Sequence, residues 1–286
     1  MILVVGATGT VGSEVLRQLV AGGERARALV RDREKAGERL GEQIELVVGD
    51  LDGPETLQGA LAGVDRVFLL TRQTSRQLEQ ERAMIQAAVR AGVRHVVKLS
   101  VFRAEEESPL QIARQHRQAE LALEDSSLAY TILRPPFVMQ NLLGMVRNGA
   151  VYTAAQDGRV AMIDARDIAA VAVTALTSHK YEGQTYTPTG PEAVTFDDVA
   201  TIVSAQTGEQ VRHVRVPPDA VRDTMQAMGV QDWFADDMAK LHTMLATGYE
   251  DVVTDDVRTV TGHLPRTVAQ FAADFANRLA GQRQQR

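Results

Sequence analysis

Four apolar residues, Ile2 to Val5, run straight into glycines at positions 6, 9 and 12. Beyond Ser13 the pattern turns helical, with Val15, Leu16, Leu19 and Val20 on one face. An unbroken apolar run of this kind fits a parallel strand buried on both faces. A strand that passes through glycines into a helix presents the helix N-terminus, with its unpaired N–H groups and positive dipole end, to an anion. At this spacing Gly6 permits a tight turn, Gly9 lets the backbone approach a pyrophosphate, and Gly12 allows close packing of helix on strand. Such a string alone also fits a plain glycine-rich turn; the strand before it and the helix after it point to a dinucleotide. The expected phosphate loop is Gly6, Thr8, Gly9, Thr10, Val11 and Gly12.

The same alternation continues downstream. Residues 25–30, 44–48, 65–70, 95–99 and 129–133 read as strands, and 54–62, 76–91 and 110–124 as helices, Gly92 capping the second of these. Strands separated by helices imply parallel pairing through right-handed crossovers, hence an α/β fold with a Rossmann-type doubly wound sheet. Ligands of such sheets bind outside the carboxyl ends of the strands. After Pro136 the rhythm changes. Residues 141–147 read as a short helix, 151–163 as a segment with a hairpin signal at Asp157-Gly158, and 168–177 as a helix. A strand at 185–188, a helix at 196–207 with Thr195 as its N-cap, and helical sequence over 217–248 follow. The expected organisation is a nucleotide-binding domain over 1–136 and a smaller α+β substrate lobe over 137–286, parts of which return to the sheet.

Composition removes several alternatives. The net charge of −6 argues against a nucleic-acid surface, and the absence of cysteine excludes disulfides, iron–sulfur clusters and thiolate metal sites. The six histidines show no ligand spacing, so no metal is expected. No apolar run is long enough to span a membrane, and a strand at residue 2 leaves no room for a signal peptide, so a cytoplasmic location is expected.

The cofactor is read from the end of the second strand, Val30-Arg31-Asp32. An acidic residue there bonds the 2′-hydroxyl of NAD, whereas an arginine accommodates the 2′-phosphate of NADP. Arg31 comes first, with Arg33 and Lys35 behind it, and a guanidinium grips phosphate where a carboxylate repels it. NADP(H) is therefore favoured over NAD(H), with Asp32 as the residue that opposes this. Asp50 is placed for the adenine amino group and Leu51 for the ring face.

The run Gly6-Ala-Thr-Gly-Thr-Val-Gly12, the Gly49-Asp50-Leu51 turn, the segment Ala91-Gly92-Val93 to Leu99-Ser100, His116-Arg-Gln-Ala-Glu120 and Tyr130-Thr-Ile-Leu-Arg134-Pro135 resemble the NmrA-like group of atypical short-chain dehydrogenases. The resemblance is strongest to its triphenylmethane reductase and quinone oxidoreductase members, and it runs from residue 1 to about 170. It implies that Leu70, Thr71, Ser100 and Pro135 lie along the cofactor. It further implies that Phe102, His116, Phe137 and Asn141 face a substrate, with Trp233 on a lid. Ser100 falls where the wider family keeps its catalytic serine. The Tyr-x-x-x-Lys pair of that family is missing, since helix 110–124 has neither residue. His116 and Glu120, four residues apart, share a helical face and could form a base and its orienter, or an ordinary buttress. The implied activity is hydride transfer from NADPH to a quinone, polycyclic aromatic or other conjugated small molecule. The missing pair equally fits a non-catalytic NAD(P)-binding regulator, and a tailoring enzyme for an aromatic natural product is a third reading. A homodimer is compatible with all three.

Overall fold

The computed structural model describes residues 1–41 and 43–280. In chain order its elements begin with β1 Ile2–Val4, α1 Thr10–Ala21, β2 Ala26–Val30, α2 Arg33–Leu40, β3 Glu45–Val48, α3 Leu57–Ala60 and β4 Arg66–Leu69. They continue with α4 Gln77–Ala91, β5 His95–Leu99, α5 Gln111–Glu124, β6 Ala129–Leu133, α6 Leu142–Met145, β7 Val146–Arg147, β8 Ala150–Thr153 and α7 Ala165–Thr177. The remainder is β9 Gln184–Tyr186, α8 Phe196–Thr207, β10 Arg212–Arg215, α9 Pro218–Ala227, α10 Asp232–Leu245, α11 Asp256–Thr261, α12 Val268–Asp274 and α13 Ala276–Ala280.

These elements form two compact units. The first comprises Met1–Ser108, Ala113–Arg134 and Ile168–Tyr186; the second comprises Pro109–Ile112, Pro135–Asp167 and residues 187–280. The chain thus passes between them more than once, and β9 belongs to the first.

In the first unit seven parallel strands lie in the order β3-β2-β1-β4-β5-β6-β9. The order reverses between β1 and β4, which are direct neighbours. On one face Leu3, Val67, Leu69 and Val96 pack with Leu57 and Leu61, with Met84 and Ile85 of α4, and with Leu123 of α5. Each such side chain contributes roughly 1.5–3 kcal/mol by leaving water. Alternation along β5 turns Lys98 to the same face as Val96, so a lysine is aimed into this apolar layer. Gly92 closes α4 in the left-handed conformation, φ 72°.

The second unit carries a three-stranded sheet, β10-β8-β7, and a core of Met139, Met162, Phe196, Val199, Val203 and Phe271. Thr195 caps α8 as expected, in a reciprocal box with Asp198. The hairpin is not where Asp157-Gly158 signals it. It joins β7 to β8 through Asn148-Gly149, whose φ values of 51° and 71° are those of a tight hairpin turn. Gly158 serves another need, since a Cβ there would stand 1.9 Å from the Leu245 carbonyl oxygen at the end of α10. Residues 141–147, expected as one helix, divide into α6 and β7 for the same hairpin. Among the described residues no helix is long and apolar enough to cross a membrane.

Candidate functional site

The loop after β1 fits a dinucleotide phosphate group. Gly6 has φ 76°, and a Cβ on it would approach the Leu70 carbonyl oxygen to 2.5 Å, so the turn runs hard against the carboxyl end of β4. A Cβ on Gly12 would meet the Gly6 carbonyl oxygen at 2.2 Å, so the first turn of α1 packs on the loop itself. Gly9 is the N-cap of α1, offers no capping side chain, and is exposed together with Thr10. The helix therefore begins with accessible, uncapped N–H groups beside a backbone stripped of side chains, which suits an anion. Val11 is buried and holds the helix to the core, while Thr8 is half-buried.

At the end of β2 the two opposing residues separate. Asp32 is the N-cap of α2, accepting the backbone N–H of Lys35 at 3.2 Å and pairing with its Nζ at 3.4 Å. The Lys35 N–H holds this carboxyl below the ordinary range. Arg31 is exposed and, among the described residues, forms no ion pair. Asp50 accepts the Asp52 N–H at 3.0 Å and donates its own N–H to Thr56 at 2.8 Å, a turn that leaves Leu51 half-buried against the core.

Beneath the carboxyl ends of β4, β5 and β6 lie two buried polar clusters. In one, Lys98 Nζ donates to Glu81 Oε2 at 2.7 Å, and Thr71 Oγ1 donates to Glu81 Oε1 at 2.9 Å. Lys98 Nζ is also 3.2 Å from His116 Nδ1, and the Gln77 carboxamide is 2.8 Å from His116 Nε2. All five side chains are buried. Burial, and then the Lys98 charge, hold His116 well below the ordinary imidazole range. In the other cluster Glu120 accepts from Ser100 Oγ, from Arg134 Nε at 3.0 Å and from Arg117 at 3.0 Å.

The helical spacing of His116 and Glu120 thus does not make them partners. The two residues share a face of α5, but His116 meets β5 and α4 while Glu120 meets the ends of β5 and β6. Opposite cations on neighbouring elements outcompete the weak attraction of an i, i+4 pair. Inspection of α5 alone also passes over Lys98, Glu81 and Gln77. The signal for Lys98 was available: one lysine inside the apolar strand His95-Val-Val-Lys-Leu99 has to find a buried anion.

The residues expected to face a substrate fall in both units. In the first, Phe102 is buried, with the Arg103 guanidinium 5.2 Å from its ring centre. In the second, Phe137 is half-buried, edge-on to Phe196 at 5.8 Å, close in sequence to Pro135, a residue expected along the cofactor, which is buried. Asn141 is exposed on a short 3-10 turn. Trp233 opens α10, half-buried, 5.5 Å from the Phe234 ring and donating to Gln231. Sequence inspection gives no hint of Glu250, whose carboxylate accepts the Phe137 N–H at 3.0 Å and which burial pushes up to about 7.

Comparison with known proteins follows this geometry. The NmrA-like family model matches residues 1–271. The NAD(P)H azoreductase of Xenophilus azovorans is 42% identical over 280 residues, covering 96% of this chain and 98% of that protein. The NADPH complex of the Escherichia coli quinone oxidoreductase QOR2 superposes with a TM-score of 0.85 at 28% identity, covering 96% of this chain and 99% of the other. The NADP(H) complex of Citrobacter sp. triphenylmethane reductase gives 0.84 at 28% identity, covering 96% and 100%.

Proposed function

This chain belongs to the NmrA-like family, and on that premise we propose that it is an NADPH-dependent reductase of conjugated small molecules: quinones, azo compounds and polycyclic aromatic acceptors. The observation that carries the cofactor preference is the division of labour after β2, where Asp32 caps α2 and Arg31 is left to meet a 2′-phosphate. A family relative named for azo reduction at 42% identity supports the acceptor class.

NADPH, when bound, supplies the hydride. The chain's own part begins with the phosphate loop of Gly6, Thr8, Gly9, Thr10, Val11 and Gly12. Thr10, Val11 and Gly12, in the first turn of α1, present backbone N–H groups to the pyrophosphate. Gly6 and Gly9 form the tight turn, the Gly9 N–H bonding the Gly6 carbonyl at 2.9 Å. Asp50 and Leu51 take the adenine, and Leu70, Thr71, Ser100 and Pro135 border the nicotinamide half. Ser100 and His116 direct their polar atoms inward, so they shape the carboxyl edge and do not donate a proton. That suits an acceptor whose reduced form is a stabilised anion and takes its proton from water. The second unit is the acceptor lobe, to which Phe137 and Trp233 contribute aromatic surface and Asn141 a carboxamide able to hydrogen-bond the acceptor.

The test is NADPH oxidation in the presence of menadione and of an azo dye, followed by nicotinamide absorbance. Turnover with one or both supports the proposal. Tight NADPH binding without oxidation across a broad acceptor panel contradicts it.

A further inference from the structure

Lys98 is linked to both ends of one turn through a single intermediary at each end. The turn between β4 and α4 starts at Thr71, whose hydroxyl is held by Glu81, and ends at Gln77, the first residue of α4, whose carboxamide is held by His116. Glu81 and His116 are the side chains bonded to the Lys98 ammonium, at 2.7 and 3.2 Å, with the Leu99 carbonyl oxygen a third partner at 3.5 Å. Lys98 in turn sits on a central strand, in register with Leu69 of β4 and Ile132 of β6.

The protonation of this cluster follows from its donors. An ammonium has no lone pair, so His116 Nδ1 must accept from Lys98. A neutral imidazole then carries its proton on Nε2, and the Gln77 atom 2.8 Å away has to be the amide oxygen. The structure places the amide the other way, its nitrogen toward His116 and 3.5 Å from Glu81 Oε1 and its oxygen buried without a partner. Turning it over gives up that long contact to Glu81 and pairs the oxygen with His116. The result is a one-directional chain, Lys98 to His116 to Gln77, beside a second, Lys98 and Thr71 to Glu81.

A buried ion pair is a poor source of stability, because desolvation offsets most of the attraction and apolar replacements of similar volume are often neutral or better. A pair kept inside a Val/Leu/Ile layer therefore calls for another account. We propose that Lys98 is a positioning residue for the nucleotide: through Glu81 and through His116 in its neutral Nε2-protonated form, it clamps both ends of the β4–α4 turn at the carboxyl edge of the sheet. This rests on the reading that the edge binds NADPH.

Two measurements on the full chain test it. In nitrogen-15 NMR of labelled protein, His116 should show the neutral Nε2–H tautomer throughout the range in which a free imidazole titrates. An Nδ1–H tautomer, or ordinary titration, overturns the clamp. The second measurement uses the apolar double variant Lys98→Met with Glu81→Leu. It should keep its melting temperature yet weaken NADPH binding about tenfold, with KM for NADPH rising more than kcat falls. Lys98→Arg, which keeps the charge, should recover part of that loss. Wild-type NADPH affinity in a stable double variant overturns the proposal, and if that variant does not fold, the wild-type tautomer decides. Should NADPH bind without turnover, the reductase reading fails, while the dissociation constant and the tautomer still judge Lys98.

Discussion

The carboxylate of Asp32 accepts the backbone N–H of Lys35 at 3.2 Å and so spends itself on starting α2. Its neighbour Arg31 is exposed at the carboxyl end of β2. Two residues of opposite charge, adjacent in sequence, therefore have different occupations, and the proposed NADPH preference rests on that difference. Arg31→Ala should weaken NADPH binding by about tenfold or more and leave NADH nearly unchanged. Asp32→Ala should lower the melting temperature by removing a helix cap, without a switch in preference. Titrating both variants with both nucleotides checks this; equal losses for NADPH and NADH in the Arg31 variant would assign the preference elsewhere.

The phosphate loop makes a steric prediction. Gly12→Ala places a Cβ 2.2 Å from a backbone oxygen that cannot move independently, so NADPH affinity and melting temperature should fall together. Gly59 in α3 has open space where its Cβ would go. Gly59→Ala should accordingly be neutral or stabilising by up to about 1 kcal/mol, with NADPH affinity retained.

Glu120 is fully buried between Arg134 and Arg117, and Ser100 donates to it. Glu120→Leu should destabilise by on the order of 3 kcal/mol in urea unfolding, because the partly buried Arg134 guanidinium loses its anion, while Arg117 keeps Glu124. Ser100→Ala removes one hydrogen bond and should cost about 1 kcal/mol, with kcat reduced less than tenfold. A drop of several hundredfold in kcat for Ser100→Ala, at retained stability, would instead make this hydroxyl a proton donor.

Two kinds of buried group should tilt stability in opposite senses over the same mildly acidic range, with the two histidines outweighing the one carboxyl. Burial lowers His95 and His242 to about 4, so the unfolded chain binds protons there that the native chain refuses, and stability is lost as pH falls below the ordinary imidazole value. Glu250 acts in the opposite sense. Raised to about 7, it stays protonated in the native state while the unfolded carboxyl ionises above about 4.5. Its contribution is complete below that lower value and declines as pH rises towards 7, by on the order of 3 kcal/mol. Glu250→Gln keeps an acceptor for the Phe137 N–H and removes the opposing slope, so stability should rise more steeply with pH between about 4.5 and 7 than in the wild type. Parallel wild-type and variant curves of unfolding free energy against pH would contradict this assignment.

Much of the first unit was legible from sequence. The strands 95–99 and 129–133 coincide with β5 and β6, β1 to β4 shift by a residue at their ends, and β9 ends two residues before the expected 188, because apolar runs bounded by glycine, proline and charge leave little choice of register. The tight turn from β1 into α1 was legible because its geometry is carried by glycines whose spacing is visible. Partnerships between side chains were not. His116 and Glu120 sit on one helix at contact spacing, and only the three-dimensional arrangement reveals that Lys98 and Arg134 claim them separately. The hairpin illustrates the same limit: Asn148-Gly149 and Asp157-Gly158 are both turn sequences, and tertiary packing of α10 against Gly158 distinguishes them. Glu250 lies in a loop with no periodicity, so nothing local marks its burial against the Phe137 backbone.

The most direct measurement is a single-turnover experiment with NADPH carrying deuterium at C4 and menadione or an azo dye as acceptor. Hydride transfer predicts nicotinamide oxidation in stoichiometric step with acceptor reduction, slowed by the deuterium. Saturable, tight NADPH binding with no oxidation by any acceptor would contradict it and leave a chain that binds the nucleotide without using it.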